Sequence, residues 1–562
     1  MQNVDMRIIF AVIVAAVVIY TVIQNKRQAC KKSIDKLMAE WGVRPKRQYT
    51  MDEYEKISHY FKNGTQENVI DDITWNDLNM DDVFCMINNT NSSVGEEYLY
   101  KRLRNISQSK KTLDETERLA SFFDRNEKDR INIQKIFKKL GHTRRISISD
   151  YVDLLMDLET GSNLIHYMAF IILLAAVIFC VFYNPVIGIW AMILSIAFSV
   201  ITYYKYKARV EHYFVCVNQI IRMLSAGQEI RALGIKELKE YNQLLERLDK
   251  AFTKVKKNAW LLETGTIDGS LAEIILDYIR MLTHVDLIKF NNVVRSMNNK
   301  TGEVYELMDT LGFIESSIAV ASFRRQLPYW SIPEFVANTG GYCGMEVEKA
   351  FHPLIEKPVA NSITARKHVL LTGSNASGKS TFLKTIAINT ILSQTINTSV
   401  SERYRAPEYR IYSSMALKDD LSNSNSYYIV EIKSLKRILD AVNETGMPVL
   451  CFVDEVLRGT NTVERIAASS EILKSISGRR ALCFAATHDI ELTSMLVSNF
   501  DNYHFQEEVS DNNVIFNFKL FKGPATTRNA IKLLNMIGYN PSIISGAERK
   551  ARHFLDNGTW DC

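Results

Sequence analysis

The segment from Leu164 to Tyr204 constrains the fold of this chain most, because it contains no Asp, Glu, Lys or Arg. Two apolar runs in this segment flank a turn at residues 183–185. A helix rises about 1.5 Å per residue, so each run can cross a hydrocarbon core about 30 Å thick. Basic residues follow directly, namely Lys205, Lys207 and Arg209, as is typical of a cytoplasmic membrane interface. We therefore predict a transmembrane helical hairpin within residues 161–206; a buried hairpin in a large soluble core is the alternative.

A third apolar run, Ile8–Ile23, lies near the N-terminus. Arg7 is the only basic residue before it, whereas several lysines follow it. A cleaved signal peptide carries its positive charge before the apolar run. The pattern therefore favours a retained transmembrane anchor over residues 1–25, with a signal peptide or a buried helix as alternatives. Three spans with their basic flanks on one side predict a multi-pass membrane protein whose soluble regions, 24–163 and 205–562, are cytoplasmic.

The composition of the whole chain excludes several classes of protein. Hydrophobic residues make up 47% and charged residues 23%, which excludes a disordered or collagen-like chain. The net charge of +5 is too small to indicate a nucleic-acid-binding protein by itself. The cysteines are scattered and form no CxxC motif, so we expect reduced thiols rather than a zinc ribbon or a disulfide framework.

The soluble regions divide into helical segments and one mixed segment. Apolar residues recur at helical spacing in residues 26–160 and 207–330, and this spacing predicts continuous helices over 236–263 and 271–294. From Lys367 onward, short apolar strands alternate with helices. This alternation predicts an α/β domain with a mostly parallel sheet.

A glycine-rich loop follows the first apolar strand of the mixed segment. Residues 373–381 read GSNASGKST, which matches the phosphate-binding pattern G-x-x-x-x-G-K-[ST] between a strand and a helix. Backbone N–H groups of such a loop surround phosphates, Lys379 would reach the β- and γ-phosphates, and the Ser380 hydroxyl would bind Mg²⁺. The pattern predicts the phosphates of a nucleotide and Mg²⁺ as ligands; the family resemblance described below implies that the nucleotide is ATP. The candidate nucleotide-binding residues are Gly373, Ser374, Asn375, Ala376, Ser377, Gly378, Lys379, Ser380 and Thr381.

Polar residues follow two further apolar strands. Asp454 and Glu455 end the strand that begins at Val449, and His488 follows the strand that begins at Ala481. A carboxylate at this position can hold the Mg²⁺ shell, and we assign this role to Asp454. Glu455 can orient or deprotonate an attacking water, and His488 can contact the γ-phosphate or that water. A solvated strand end and an exposed histidine are the alternative interpretations.

These motifs together resemble those of MutS-type mismatch-repair ATPases. The resembling stretches are MALKDDLSNSNSYYIVE at 415–431, the phosphate loop, DEVLRGTNT at 454–462, THDIEL at 487–492, FHPLI at 351–355 and the C-terminal stretch 523–555. Residues 71–105 are similar to the start of the family's helical core, which the apolar hairpin interrupts. Ala376-Ser377 replaces the family's usual Met-Gly, and the family's adenine-stacking aromatic residue before Asn361 is absent. The first 70 residues leave no room for the family's mismatch-reading domain.

The resemblance implies an ABC-like α/β P-loop ATPase domain at the C-terminus, preceded by an all-α core or stalk that carries the hairpin. It also implies a homodimer with composite sites, in which Ser426 of one subunit meets the γ-phosphate held by the other. The expected domains are an N-terminal anchor (1–25), a helical region (26–160), the hairpin (161–206), a helical core (207–330), the ATPase domain (331–525) and a helix-turn-helix dimerisation segment (526–562).

Two functions remain open for such a chain. One is a membrane-anchored ATPase coupled to binding of double-stranded DNA; the other is an ATP-switched membrane scaffold that acts on protein or membrane partners without DNA. Basic clusters near Lys138 and Lys254 suit a DNA backbone and an anionic lipid surface equally. A transporter half of the ABC type is disfavoured, because three spans are few and the Leu-Ser-Gly-Gly-Gln signature is missing.

Overall fold

The structure of the protein is a computed structural model that spans residues 1–562. It describes every residue outside the following positions: 1, 65–66, 144–145, 157–160, 260–270, 298–299, 338–342, 375–376, 416–426, 459, 511–512, 526–530, 532–533, 535–536 and 561–562. The described chain forms two compact units. The first comprises residues 1–65, 87–101 and 118–323, and the second comprises residues 66–86, 102–117 and 324–562.

Helices account for the described chain up to residue 326. They are α1 (Gln2–Ala39), α2 (Met51–Lys62), α3 (Asp72–Asp77), α4 (Met80–Ile87), α5 (Ser93–Arg104), α6 (Lys110–Arg125), α7 (Glu127–Leu140), α8 (Ile148–Met156), α9 (Leu164–Phe182), α10 (Pro185–Ala232), a 3₁₀ turn (Lys236–Leu238), α11 (Lys239–Ala251), α12 (Thr253–Ala259), α13 (Leu271–Thr283), α14 (Val285–Met297) and α15 (Thr301–Gln326). The predicted helical character of residues 26–160 and 207–330 therefore agrees with the structure.

The prediction of continuous helices is wrong for two segments, because each of them is interrupted. The helix predicted over 236–263 breaks between α11 and α12 at Phe252, whose side chain is fully buried in the core of the first unit. Its last four positions, 260–263, lie outside the described residues. The helix predicted over 271–294 breaks between α13 and α14 at His284, which adopts a left-handed φ of 53°. Helical spacing of apolar residues continues across both breaks, so periodicity alone does not reveal them.

The apolar hairpin consists of α9 and the first half of α10. A Cβ atom at Gly188 would lie 2.3 Å from the Cα of Cys180, so the two helices approach at a distance that only glycine permits. Apolar side chains such as Phe170 and Trp190 are exposed on the outside of the pair. Among the described residues, two helical segments are long and apolar enough to cross a membrane, Leu164–Phe182 and Pro185–Glu211, and only 17% and 22% of the apolar stretch in each is buried.

The third predicted span, near the N-terminus, differs from the hairpin in length and composition. The run Ile8–Ile23 is helical, but it belongs to the longer helix α1, which continues through the basic residues to Ala39. Within the described residues, α1 is not one of the two helices that meet the length and apolarity expected of a span. The three-span arrangement therefore stays a prediction.

The second unit contains two β-sheets. Its strands are β1 (Glu334–Phe335), β2 (Met345–Ala350), β3 (Asn361–Ala365), β4 (His368–Thr372), β5 (Arg403–Ala406), β6 (Arg410–Ser414), β7 (Val449–Asp454), β8 (Ala481–Ala486), β9 (Phe500–Ser510) and β10 (Asn513–Lys522). The smaller sheet has the order β1-β5-β2-β3, and the larger sheet has the order β10-β9-β4-β8-β7-β6. Five strands of the larger sheet are parallel and only β10 is antiparallel, so the predicted mostly parallel α/β pattern is confirmed.

Helices follow the strands of the larger sheet, and several of them pack against its strands. They are α16 (Lys379–Ile396), α17 (Tyr427–Asn443), α18 (Thr462–Ser477), α19 (Glu491–Met495) and α20 (Pro541–Asn557). The strands β4 and β8 are buried along their whole length, as expected for the centre of a parallel sheet with both faces covered. The predicted helix-turn-helix segment lies partly outside the described residues, and its final helix is α20.

Candidate functional site

The three strands that carry the predicted site residues are neighbours in the larger sheet. Strand β8 lies between β4 and β7, and both pairings are parallel. Ala486 at the end of β8 aligns with Leu371 of β4 and with Asp454 of β7. The carboxyl ends of the three strands therefore meet at one edge of the sheet, where ligands of open α/β sheets usually bind.

The glycine-rich loop closes over the end of β4. Gly373 has a φ of 144°, and a Cβ atom there would lie 2.5 Å from the Phe505 carbonyl oxygen, so no other residue fits without a shift of the backbone. Gly378, with a φ of 109°, leads into α16. The Lys379 Nζ donates hydrogen bonds to the carbonyl oxygens of Gly373 and Ser374 at 2.8 and 2.9 Å. Asn375 and Ala376 lie outside the described residues.

Asp454 and Ser380 provide oxygen atoms that suit Mg²⁺. Burial raises the pKa of the Asp454 carboxyl group, and a hydrogen bond with Ser380 opposes this shift. The Asp454 Oδ1 atom is buried without a hydrogen-bond partner among the described residues. Mg²⁺ typically binds one or two protein oxygens together with phosphate and water. An orphaned carboxylate oxygen beside a hydroxyl group therefore fits this ion.

Glu455 has both carboxylate oxygens engaged. Its Oε1 lies 2.8 Å from the His488 Nε2, and its Oε2 lies 2.7 Å from the Nε of Arg458, an exposed side chain. Its backbone has a left-handed φ of 57°, and its N–H donates to the Ala486 carbonyl oxygen at 2.9 Å. The His488 Nε2 also lies 3.4 Å from the Lys379 Nζ. The structure thus brings Lys379, Glu455 and His488 together as the sequence predicts.

An ion pair that the sequence analysis did not identify supports the His488 loop. The Arg465 guanidinium group, near the start of α18, contacts both carboxylate oxygens of Asp489 at 2.9 and 2.5 Å. The Asp489 N–H in turn donates to the Thr487 hydroxyl at 3.0 Å. These contacts fix the turn on both sides of His488. A bidentate pair of this kind has no sequence signature, because its partners come from different elements.

A second cavity adjoins the glycine-rich loop. The cavity at the loop has a volume of about 140 Å³, and the neighbouring cavity has a volume of about 260 Å³. Gly378, Thr381 and Phe518 line both. The larger cavity is otherwise lined by the 350–361 segment, including His352, and by residues of α16 and β9. A partly apolar pocket next to a phosphate-binding loop suits a nucleobase and its ribose.

Three phenylalanines line this pocket, Phe382, Phe505 and Phe518, and the one that also lines the loop cavity, Phe518, comes from β10 rather than from the residues before Asn361. Phe518 has a left-handed φ of 52° and lies where the β9–β10 register shifts between Phe516 and Leu520. The Asn361 side chain holds this irregular stretch, since its Nδ2 donates to the Phe518 carbonyl oxygen at 2.9 Å and its Oδ1 accepts from the Leu520 N–H at 2.8 Å.

One predicted site residue has no described position. Ser426 lies in the segment 416–426, which is outside the described residues, so its predicted role in a partner's site stays a prediction. Glu431, which follows this segment on α17, accepts a hydrogen bond from the Arg458 N–H at 3.3 Å. Burial raises the pKa of the Glu431 carboxyl group.

Comparison with known proteins identifies the family. A family model described as MutS domain V matches residues 369–555, which begin in β4 and include all three strand ends of the site. Residues 369–555 of this chain are a MutS domain V. The DNA mismatch repair protein MutS of Thermus aquaticus is 28% identical over 208 residues, or 36% of this chain and 25% of that protein.

The similarity extends to eukaryotic members of the MutS family. MutS protein homolog 4 of Homo sapiens is 28% identical over 264 residues, which is 44% of this chain and 27% of that protein. MutS protein homolog 4 of Mus musculus is 30% identical over 244 residues, which is 40% of this chain and 24% of that protein. The chain thus matches about a quarter of the length of these curated relatives.

Proposed function

We propose that this chain is a membrane-anchored MutS-family ATPase that binds and hydrolyses ATP with Mg²⁺ and that couples this cycle to binding of double-stranded DNA. The observation that carries the ATPase assignment is the meeting of Lys379, Asp454, Glu455 and His488 at one edge of a parallel sheet. The match to MutS domain V supports a function related to mismatch repair. Recognition of the mismatch itself is not part of the proposal.

Each residue of the site has a distinct role in this proposal. The Lys379 amine exchanges its contacts with two loop carbonyl groups for contacts with the β- and γ-phosphates. Ser380 and Asp454 hold Mg²⁺, which neutralises charge on the phosphates. Glu455 orients the attacking water and accepts its proton once its Oε2 separates from Arg458, while His488 stays within hydrogen-bond distance of the other oxygen.

The ATPase assignment is tested with Lys379→Ala in the full chain, solubilised in detergent. We expect loss of ATP binding or turnover, because the variant lacks the cation that contacts the phosphates. Lys474→Ala is the matched control, since Lys474 is an exposed lysine on α18 that pairs only weakly with Glu471 at 3.8 Å. Equal turnover by Lys379→Ala and by the control would contradict the assignment.

A shared active site is the second element of the proposal. One subunit supplies the glycine-rich loop, and Ser426 of the partner subunit closes the outer face of the γ-phosphate, which adds donors and excludes water. We expect Lys379→Ala and Ser426→Arg each to be inactive and a mixture of the two to recover part of the activity. Recovery is possible because one site of the mixed dimer retains both residues. Full turnover by Ser426→Arg alone would exclude the shared site.

Membrane attachment is the third element. The apolar side chains of α9 and of the first half of α10 face outward along both helices. Exposed apolar surface on this scale requires a partner, and a lipid bilayer matches the length and the lack of charge of the two helices. The ATPase domain then lies in the cytoplasm, on the side of the basic residues that follow the hairpin.

The alternative function, a scaffold that acts without DNA, differs in one measurable property. Binding to DNA phosphates weakens steeply with salt, because each contact releases counterions. We expect the solubilised chain to bind a DNA duplex with an affinity that falls as the salt concentration rises. Absence of duplex binding at low salt, with ATPase activity intact, would favour the scaffold.

A further inference from the structure

An acidic side chain of β9, the strand beside β4, contacts the glycine-rich loop. Glu507 is 6% exposed, and its Oε2 accepts a hydrogen bond from the Ser374 hydroxyl at 2.9 Å. Ser374 is the second residue of the loop, and its carbonyl oxygen is one of the two that the Lys379 Nζ contacts. Glu507 and Lys379 therefore contact the same residue: Glu507 binds the hydroxyl group of Ser374, and Lys379 binds its backbone carbonyl oxygen.

The sheet register places this carboxylate at the loop. Strand β9 pairs in parallel with β4, and His504 aligns with Thr372, the last residue before the loop. The Phe505 backbone lies so close to Gly373 that a Cβ atom there would clash with it. Side chains two residues apart share one face of a strand. Glu507 therefore shares the face of Phe505, whose ring packs 5.7 Å from the ring of Phe382 on α16.

A buried acid is an unusual neighbour for a phosphate-binding loop. The loop attracts anions through its N–H groups, the start of α16 and Lys379, whereas a carboxylate repels them. Glu507 is also close enough to Lys379 to act on its charge: together with Asp454 and Glu455 it raises the pKa of the amine, against the larger lowering effect of burial. Nucleotide phosphates that replace the contacts of Lys379 would approach the same carboxylate.

We infer that Glu507 is an affinity-setting residue of the nucleotide site, whose negative charge weakens binding of the phosphate chain and speeds release of ADP. The inference rests on the proposed function, because it requires that the loop binds a nucleotide. It extends that function by assigning a role to a residue outside the phosphate-binding pattern. The alternative is that Glu507 only shapes the loop through its hydrogen bond with Ser374.

Two kinds of variant separate charge from hydrogen bonding. Glu507→Gln removes the charge and keeps an oxygen that can accept from Ser374, and Glu507→Ala removes both. Ser374→Ala keeps the carboxylate and removes the hydrogen bond. Asp501→Asn is the control, because Asp501 lies on the same strand and face as Glu507 but about 20 Å further back at 3.3 Å per residue.

The experiment measures the Kd and the dissociation rate of a fluorescent ADP analogue bound to the detergent-solubilised full chain, with and without Mg²⁺. For Glu507→Gln we expect binding about tenfold tighter, the size expected for like charges about 10 Å apart at an effective dielectric constant of about 20. The gain should be larger without Mg²⁺, because the uncompensated phosphates carry more charge. Glu507→Ala should also bind more tightly, whereas Ser374→Ala and Asp501→Asn should not.

Each result decides between these possibilities. Unchanged or weaker binding by both Glu507 variants, beside normal binding by the wild-type chain, overturns the inference and leaves the proposed function intact. A gain that is equal with and without Mg²⁺ also overturns it, since a change in loop shape would act on both forms alike. Wild-type binding no stronger than that of Lys379→Ala overturns the proposed function and the inference together.

Discussion

Replacing Asn361 by alanine tests whether this residue positions Phe518, one of the aromatic side chains that line the larger cavity. Its side-chain amide makes two hydrogen bonds to the irregular stretch of β10, at 2.9 Å to the Phe518 carbonyl oxygen and at 2.8 Å from the Leu520 N–H. Alanine removes both. Phe518 then loses the contacts that keep its left-handed backbone conformation, and its ring no longer has a fixed place in the cavity proposed to hold the nucleobase.

The structure sets the size of this effect. A hydrogen bond of this type contributes about 0.5–1.5 kcal/mol, so the two together stabilise the irregular stretch by about 1–3 kcal/mol. Stacking of a base on an aromatic ring contributes about 1–3 kcal/mol. Phe518 is 42% exposed, which favours the lower part of that range. We therefore expect Phe518→Ala and Asn361→Ala each to weaken ADP binding by about tenfold, because 1.4 kcal/mol corresponds to a factor of ten.

The assay is a double-mutant cycle with two ligands, Mg-ADP and Mg-tripolyphosphate. If Asn361 acts through Phe518, the double variant should bind ADP as weakly as Phe518→Ala alone. Tripolyphosphate binding should change much less than ADP binding in all variants, because this ligand has no base. Ser362→Ala is the control, since it removes one hydrogen bond of the same strand, from the Lys349 N–H at 2.8 Å, outside the cavity lining.

Two results would refute this reasoning. Wild-type ADP affinity in Asn361→Ala, beside weakened binding in Phe518→Ala, would show that the amide does not position the ring. An equal loss of ADP and tripolyphosphate affinity would show that the substitution acts on the glycine-rich loop instead.

Three further predictions concern catalysis, pH and topology. Glu455→Gln should bind Mg-ATP normally but hydrolyse it about 10²–10⁴-fold more slowly in single-turnover measurements, because it lacks the base; loss of binding instead would exchange its role with that of Asp454. Because burial raises the pKa of the Asp454 carboxyl group, protons compete with Mg²⁺ for this group at a higher pH than for an exposed aspartate, so the Mg²⁺ concentration for half-maximal ATPase activity should rise as the pH falls; a constant requirement would contradict its role as a metal ligand. In the Asn184→Cys variant, the new cysteine should react with an impermeant reagent in intact cells, whereas Cys562 should not. The reverse pattern would show that the predicted membrane topology is inverted.

The helical and strand periodicities predicted element types but not every boundary. Residues 236–263 and 271–294 keep a regular apolar spacing, yet Phe252 and His284 interrupt the helices. At Phe252 a large side chain is buried in the core. At His284 the backbone is left-handed, and the ring Nε2 lies 3.0 Å from the Oγ of Ser199 on α10. Both breaks depend on packing partners from other helices, which a local pattern does not contain.

The sequence by itself determined two features of this protein, the apolar helical hairpin and the main residues of the candidate site. An uncharged segment with a central turn can satisfy its backbone only as a helical hairpin in an apolar environment. The sequence likewise predicts which residues form the candidate site, namely the glycine-rich loop, Asp454, Glu455 and His488. Each follows a short apolar strand, and the carboxyl ends of parallel strands meet at one edge.

Only the tertiary structure decided what surrounds these residues. Glu507 contacts a residue 133 positions earlier, and Asn361 contacts a strand 157 positions later. Both contacts depend on the pairing of β9 with β4 and on the register shift between β9 and β10. Strand order and register arise from the packing of the whole sheet, so no local stretch of sequence specifies that an acid lies beneath the loop or that Phe518 lines the neighbouring cavity.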